Sequence, residues 1–360
     1  MKTTLDLYTD YLLSSFAQTS ATGLSRLLNQ SISHDDVTDF LNQSQHDSKA
    51  LWKRAKSFVR QIESDDGVLI VDDSISEKPH TAPNGLVCPH YDHSKDSYVN
   101  GINFVTLLYR RKGIQLPIGF MLVFKTLQCL LKDKKEVWRS AVTKNEMFRK
   151  LVNQAYQNAV KFTYVLCDSW YSNAENINFI RSLGKDLIGA IKINLEVALS
   201  AQDRANGKFI KVGQLDLKVG VPVKVYLRSV KDPVLICKDV FINENGSQGE
   251  LLLLSTNVMN TFQQLISTYQ ERWGIEEYHK SLKNNASLAK SPTRTLQTQQ
   301  THFFASLCAY IKLEQLKINE KLNHFALKSK LYLKAIQAAF TELQVLRSKL
   351  SMNEIQISFA

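Results

Sequence analysis

The stretch STYQERWGIEEYHKSLKNN, residues 267–285, contains Tyr269, Arg272, Glu276 and Lys283 in the pattern Y-x2-R-x3-E-x6-K. Spacings of three, four and seven residues bring side chains to one face of a helix, so we predict a single helix here. A carboxylate between two cations on one helix face is typical of a metal-dependent site that acts on phosphates. The alternative is an exposed ladder of ion pairs, because Glu276 lies four residues from cations on both sides.

Two apolar runs upstream end in acids. GVLIVDDS, from Gly67, ends with Asp72 and Asp73, and FTYVLCDS, from Phe162, ends with Asp168. Each run predicts a buried strand with an acid rigidly placed at its end. Two divalent ions held by a few carboxylates can activate water and neutralise the leaving oxygen of a phosphodiester. Oxygen ligands indicate Mg²⁺, with Mn²⁺ as a substitute, although any one of these acids alone is also a common turn former.

The order of elements follows from periodicity. Residues 1–62 have helical spacing, SEKPHTAPNGLVCPHYDHSKDS is a polar loop, and YVNGINFVTLLYR with IQLPIGFMLVFKT predicts a β-hairpin. A charged helix is expected over residues 132–159, and short strands over 193–257 form a β-rich insertion. We therefore divide the chain into five regions. Residues 1–62 are a helical N-terminal region that is a candidate for DNA binding, 63–192 are the first part of the core, and 193–257 are the insertion. Residues 258–295 are the part of the core that holds the helix with Glu276, and 296–360 are a helical C-terminal region.

These segments together resemble bacterial insertion-sequence transposases of the DDE type, in the insertion-sequence-4 group, whose signature is Y-x2-R-x3-E-x6-K. The similarity covers about residues 67–290 and includes VLIVDDSISEKP and YVLCDSWYSNAENINFIRSLG. It implies an α/β, ribonuclease-H-like mixed sheet with flanking helices, interrupted by a β-rich insertion before the catalytic glutamate. It also implies Asp168 and Glu276 as catalytic metal ligands. The first ligand is Asp72 if the pattern D-x-S applies, and Asp73 is the alternative.

The same resemblance implies DNA-binding roles for the other signature residues. Tyr269, Arg272 and Lys283 are expected to contact phosphates of the transposon end, because Arg offers phosphate a planar fork and Lys a point charge. The alternative is that Tyr269 only packs and Arg272 only pairs with Glu276. Trp170 could stack on an unpaired base beside the metal site, or pack in the core.

The overall composition is compatible with a nucleic-acid partner. The chain has 360 residues with 45 Lys plus Arg against 34 Asp plus Glu, a net charge of +11, which favours a polyanion. No apolar run is long enough to cross a bilayer, and the N-terminus lacks the pattern of a signal peptide. The five cysteines have no metal-ligand spacing and are expected to be reduced. We therefore expect a cytoplasmic protein with no membrane partner, and the resemblance implies that it is bacterial and associated with the nucleoid.

The predicted function is that of a DDE transposase. It would bind terminal inverted repeats, cleave DNA with a metal-activated water, and join the freed ends to target DNA, acting as a homodimer that pairs two ends. The alternatives are a ribonuclease-H-fold nuclease without strand transfer and a catalytically inactive, transposase-derived DNA-binding regulator.

Overall fold

The computed structural model describes residues 2–42, 46–92, 95–130, 136–243 and 245–352. The helices are α1 (Leu5–Ser14), α2 (Ala21–Leu27), α3 (His34–Asn42), α4 (Ser48–Ile62), α5 (Lys144–Gln157), α6 (Ala174–Ser182), α7 (Ala201–Ala205), α8 (Phe262–Gln270), α9 (Gly274–Asn284), α10 (Leu296–Glu320) and α11 (His324–Met352). The strands are β1 (Val68–Glu77), β2 (Val87–Asp92), β3 (Ser97–Arg111), β4 (Ile114–Leu122), β5 (Lys125–Leu130), β6 (Glu136–Ser140), β7 (Tyr164–Cys167), β8 (Asp186–Ala190), β9 (Glu196–Ala198), β10 (Ile210–Lys211), β11 (Val223–Leu227), β12 (Val234–Ile242) and β13 (Gln248–Ser255).

Strand β1 is the centre of the main sheet. It pairs antiparallel with β3 and parallel with β7, while β7 pairs parallel with β8 and β3 pairs antiparallel with β4. The order β4–β3–β1–β7–β8 is that of a ribonuclease-H-like mixed sheet. The fold class expected from the sequence is therefore confirmed.

The hairpin of β3 and β4 forms where the alternating pattern predicts it. Its turn residues, Lys112 and Gly113, have φ angles of 48° and 76°. Two consecutive positive φ angles give the tight turn whose twist matches antiparallel strands. The hairpin places the long β3 beside β1 along the whole length of β1, which supports the two acids in the middle of that strand.

Helices cover the sheet and hold the acid-bearing strands in place. Helices α4, α5 and α10 contact β4, α9 contacts β1, and α6 and α8 contact β8. Val68 to Val71 of β1 are buried, as are Val165 to Cys167 of β7. Asp168 follows the last residue of β7, as the sequence predicts. Strand β1 instead continues past Asp72 and Asp73 to Glu77, because β3 pairs with it along this whole length, so the prediction that β1 ends at these acids is wrong.

Two further local predictions, of the polar loop after β1 and of the start of the helix before β7, are wrong. The polar loop after β1 contains strand β2, which pairs with residues 97–102 of β3, because the long β3 leaves its early backbone groups open to pairing. The expected helix over 132–159 begins only at Lys144, since Thr143 and Glu146 form a capping box there. Residues 136–140 instead form strand β6, paired with β5.

The β-rich insertion continues the main sheet. Strand β13 pairs antiparallel with β8, and β12, β11, β9 and β10 follow outward by further antiparallel pairing. The insertion is therefore hydrogen-bonded to the edge of the core. It extends the sheet on the side away from the β3–β4 hairpin.

The N-terminal helices pack against α10. Tyr8 of α1 is buried, and its hydroxyl lies 3.0 Å from Nδ1 of His302 in α10. Thr4, Ser20 and Asp47 cap the starts of α1, α2 and α4 through their side chains. The two terminal helical regions thus share one core.

The remaining global features agree with the composition. None of the helices within the described residues is long and apolar enough to cross a bilayer. The five cysteines all fall in the described ranges and are free thiols; four of them are buried.

Candidate functional site

The predicted acids line one cavity of about 1030 Å³ beside the middle of β1 and the end of β7. Asp72 comes from β1, Asp168 follows β7, and Glu276 comes from α9. Arg272 and Lys283 line the same cavity. Folding therefore brings together three carboxylates and two cations from distant parts of the chain; Asp72 and Arg272 alone are 200 positions apart.

Asp72 is the most shielded of the three acids. Its Oδ1 accepts the backbone N–H of Asp73 at 2.8 Å, and its Oδ2 lies 3.3 Å from Nη1 of Arg272. Both the Asp72 and the Arg272 side chains are 14% exposed. Burial, reinforced by the charges of Asp168 and Asp73, raises the pKa of Asp72 to about 8, against the opposing effect of Arg272.

Asp73 is held by protein partners on both oxygens. Its Oδ2 lies 2.5 Å from Nζ of Lys144 and accepts from Nδ2 of Asn103 at 3.4 Å. Its Oδ1 accepts the hydroxyl of Tyr171 at 2.9 Å. The two adjacent acids are thus distinguished by their surroundings: Asp73 is anchored by three side chains, and Asp72 faces another acid and Arg272.

Asp168 is fixed by the turn that follows its strand. Its Oδ1 accepts the backbone N–H groups of Trp170 at 3.0 Å and Tyr171 at 3.4 Å. Burial raises the pKa of Asp168, and these hydrogen bonds act in the opposite direction. Trp170 lines the cavity and is 54% exposed, whereas Tyr171 is fully buried, with its ring stacked on Phe148 at 5.4 Å.

The signature segment is not one uninterrupted helix, so that prediction is wrong. Helix α8 ends at Gln270, a 3₁₀ turn covers Glu271–Trp273, and α9 begins at Gly274. A Cβ at Gly274 would lie 2.1 Å from Nη1 of Arg110. Arg110 also pairs with Glu271 at 2.5 Å. The tightened turn thus lies against Arg110, where glycine permits close approach.

The four signature residues have different surroundings as a result. Glu276 is 56% exposed and lies 4.0 Å from Arg272. Lys283 lines the cavity, and burial lowers its pKa. Tyr269 is buried, and the guanidinium of Arg272 lies 5.6 Å from the centre of its ring. Burial raises the pKa of Tyr269 to about 12. Tyr269 therefore supports Arg272 from inside the fold.

Three residues that hold the acids were not selected from the sequence. Lys144 lies at the start of α5, Asn103 within β3, and Tyr171 in the turn after Asp168. Each is polar in an apolar or helical context, which alone does not indicate a site. Their roles arise from contacts across the sheet. Buried His279 also lines the cavity, and burial lowers its pKa to about 3.

The carboxylate oxygens of the cavity are the type of donor that a hard divalent cation binds. The cavity supplies carboxylate oxygens, and burial with mutual repulsion raises the pKa of Asp72, a strain that a bound cation would relieve. Within the described ranges, however, no three His, Cys, Asp or Glu side chains are disposed to hold a metal ion. The carboxylates share the cavity, but Arg272 lies between Asp72 and Glu276.

Comparison with known families agrees with this geometry. The model of the DDE superfamily endonuclease family matches residues 1–208, which is more than half of the chain, and that of the Transposase DDE domain matches residues 140–312. The first range contains Asp72 and Asp168, and the second contains Asp168 and Glu276. No curated protein matches the chain. The family matches and the ribonuclease-H-like sheet together show that the chain belongs to the DDE superfamily endonucleases, with support for a DDE transposase.

Proposed function

We propose that the chain is a DDE transposase of the insertion-sequence-4 group. It binds the terminal inverted repeats of its own mobile element, cleaves the DNA there and joins the freed 3′ hydroxyls to target DNA. The observation that carries this proposal is the shared cavity beside β1 and β7, where Asp72, Asp168 and Glu276 lie beside two cations. A purely structural ion-pair ladder would not gather acids from two buried strands and a helix.

Asp72, Asp168 and Glu276 are the proposed ligands of Mg²⁺, for which Mn²⁺ would substitute. When bound, the metal supplies a nucleophile by lowering the pKa of water and neutralises charge on the leaving oxygen. The anchoring of Asp73 by Lys144 supports Asp72 as the first ligand, because Asp73 already has partners on both oxygens. The exposed Glu276 has room to approach the other two acids.

Arg272 and Lys283 are proposed to bind phosphates of the DNA end. Arg272 lines the cavity with a side chain that is 14% exposed, so the open edge of its guanidinium can meet a phosphate bound there. Tyr269 is proposed to support Arg272 from beneath, rather than to reach the phosphate itself. Trp170, exposed beside Asp168, is proposed to stack on an unpaired base.

We propose that the helical region 1–62 contributes to DNA binding through α4. Helix α4 exposes Lys49, Lys53 and Lys56, which can follow a phosphate backbone. Helix α3 has acids on its exposed face, including Asp35 and Asp39, and would repel DNA. Two other basic stretches are not assigned to DNA: Arg110 and Arg111 pair with Glu271 and Asp66. Lys132, Lys134 and Lys135 lie outside the described residues.

The domain organisation and assembly follow the same proposal. The ranges 63–192 and 258–295 supply the catalytic core, 193–257 is the β-rich insertion within it, and 296–360 is the C-terminal helical region. Pairing two transposon ends calls for a homodimer in the synaptic complex. The protein would act in the bacterial cytoplasm, on the nucleoid.

The proposal is tested with Asp168→Asn and Glu276→Gln in an end-cleavage assay with Mg²⁺ and DNA that carries the flanking inverted repeats. Both variants are expected to lose at least about 100-fold in cleavage, since several kcal/mol of transition-state stabilisation are removed. DNA binding should persist. Glu277→Gln is the matched control, because Glu277 is the neighbouring exposed acid of α9 and does not line the cavity. Full cleavage by either site variant would refute the assignment.

The products distinguish the alternatives. Cleaved ends together with joined target DNA indicate a transposase. Cleaved ends without joined products indicate a nuclease of the same fold. Sequence-specific binding without cleavage, in Mg²⁺ or Mn²⁺, indicates a regulator derived from a transposase.

Metal binding can be measured without DNA. Mg²⁺ should raise the thermal midpoint of the wild-type chain, by an amount that corresponds to about 2.7 kcal/mol at one hundred times the Kd. Asp168→Asn should respond less. The control is NaCl at matched ionic strength, and an equal response of both proteins would exclude Asp168 as a ligand.

A further inference from the structure

Glu314 is a buried acid of α10, a helix that contacts α9. Its side chain is 1% exposed, and its Oε1 accepts the hydroxyl of Tyr310 at 3.2 Å and lies 3.2 Å from Nε2 of His324. Nζ of Lys317 lies 3.3 Å from both carboxylate oxygens, and the backbone N–H of Gln115 donates to Oε2 at 3.4 Å. All four neighbours can donate hydrogen bonds, which a carboxylate only accepts. Glu314 is therefore the acceptor at the centre of a buried polar network.

One arm of this network reaches the last turn of α9. Nδ1 of His324 lies 2.8 Å from Oγ of Ser281, which also accepts from Nδ2 of Asn285 at 3.1 Å. His324, Ser281 and Asn285 are all buried. Because the imidazole ring has a nitrogen on each side, His324 connects Glu314 to Ser281.

The other arm reaches the turn that precedes α9. The side-chain Oε1 of Gln115 accepts from Nη1 of Arg110 at 2.9 Å. Arg110 also pairs with Glu271 in the 3₁₀ turn. Gly274, the first residue of α9, lies against the same guanidinium. Polar contacts thus connect Glu314 to both ends of α9.

A purely structural role does not account for an acid at this position. Replacing buried ion pairs by well-packed apolar side chains of similar volume often leaves stability unchanged or raises it. Apolar contacts are also non-directional, so they resist rotation of a helix less than hydrogen bonds, which have a preferred geometry. A buried polar network at both ends of α9 therefore defines the orientation of that helix as well as its burial.

We propose that Glu314 is a positioning residue, which fixes the orientation of α9 and so places Glu276 opposite Asp72 and Asp168. The Glu276 side chain is 56% exposed, so its own packing does not hold it, and its place depends on the helix. Residues in a functional site must be held within about 0.5 Å of the productive geometry. The catalytic consequence rests on the proposed function, whereas the orientation of α9 does not.

Native-state hydrogen exchange of the full chain, without metal or DNA, tests the positioning itself. In Glu314→Gln an acceptor oxygen becomes an amide nitrogen that can only donate. Amides of α9 should exchange at least about tenfold faster, because the polar attachments at both ends of the helix are weakened. Amides of β7 should change only as much as the global stability measured in urea requires, since a merely structural residue would affect both elements alike.

Two further variants sharpen this comparison. Glu320→Gln changes an exposed acid of the same helix, so it is the matched control and should leave the exchange of α9 unchanged. Ser281→Ala removes one arm and keeps Glu314 in place, so it should accelerate exchange in the last turn of α9 about threefold or more, even if Glu314→Gln does not fold. Unchanged exchange of α9 in both site variants, or equal acceleration of α9 and β7, overturns the proposal.

End cleavage measures the catalytic consequence. Glu314→Gln should raise the Mg²⁺ concentration for half-maximal cleavage about tenfold or more, because groups that orient metal ligands typically contribute about 10-fold to 100-fold. Glu320→Gln should keep the wild-type requirement. An unchanged Mg²⁺ requirement in Glu314→Gln, with an active wild-type protein, overturns the catalytic role of Glu314. A wild-type protein that cleaves no DNA refutes the proposed function, and the exchange result then still decides whether Glu314 orients α9.

Discussion

Arg272 and Asp72 meet across 200 positions of sequence, with Nη1 of the arginine 3.3 Å from Oδ2 of the aspartate. This contact joins the 3₁₀ turn before α9 to the middle of β1. The guanidinium opposes the negative charge that Asp72 shares with Asp168. In the absence of metal, Arg272 thus partly neutralises the negative charge of these mostly buried acids.

Arg272→Ala is expected to destabilise the metal-free protein by about 3 kcal/mol. At pH 9, above the pKa of about 8 that Asp72 has in the fold, removing Arg272 leaves the buried Asp72 charged and unpaired. The measurement is urea unfolding in buffer with a chelator. Lys280→Ala, on the exposed side of α9, should change the free energy of unfolding by less than about 0.5 kcal/mol. Equal stability of Arg272→Ala and wild type would show that the contact contributes nothing.

Tyr171→Phe is expected to reduce both stability and cleavage. The variant keeps the ring stacked on Phe148 but removes the hydroxyl that donates to Asp73. Loss of a hydrogen bond to a charged group costs about 1.5–3 kcal/mol, and loss of a positioning contact lowers activity about tenfold. Tyr156→Phe is the control, since Tyr156 is exposed on α5. Unchanged unfolding and cleavage in Tyr171→Phe would rule out the anchoring role.

Trp170→Ala is expected to weaken binding of DNA ends that carry an unpaired base. Stacking on an aromatic side chain contributes about 1–3 kcal/mol per base, or roughly 5-fold to 150-fold in affinity. Trp170→Phe should retain most of the affinity, because a flat ring remains. Fluorescence anisotropy with frayed and fully paired ends provides the comparison, and Trp138→Ala, another exposed tryptophan, provides the control. A loss of equal size for both ends would contradict stacking.

Acid is expected to destabilise the fold through His302. Burial lowers the pKa of His302 to about 3, while its pKa in the unfolded chain is close to the ordinary 6.5. As the pH falls below about 6.5 the unfolded chain binds a proton that the folded chain does not, so stability falls by up to about 1.4 kcal/mol per pH unit. The loss extends down to about pH 3, where the folded protein also becomes protonated.

The slope of the free energy of unfolding against pH shows how much His302 contributes to the loss of stability in acid. His302→Gln loses contacts with Tyr8 and the carbonyl of Ser287, so it should be less stable at every pH. Its free energy of unfolding should nevertheless fall less steeply between about pH 6.5 and 5. The exposed His34→Gln is the control and should keep the wild-type slope. Parallel pH profiles for wild type and His302→Gln would contradict the prediction.

Much of the fold could be predicted because its signals are local. Apolar runs of strand length predict β7 and the start of β1, and the alternating pattern predicts the β3–β4 hairpin. The failures have causes that apolar periodicity does not show. Strand β2 exists because β3 offers backbone partners, and α5 starts late because Thr143 and Glu146 cap it. Such pairings are not visible as periodicity.

The sequence by itself determined that acids follow two apolar runs and that a glutamate on a helix and a set of cations come later, in an order compatible with one site. This is so because residue type and spacing are properties of the chain. Tertiary structure alone decided how they are used. It anchored Asp73 through Lys144 and Tyr171, set Arg272 against Asp72, and buried Tyr269 under Arg272. The reason is that burial and charge neighbours come from other elements, and they make two adjacent aspartates chemically different.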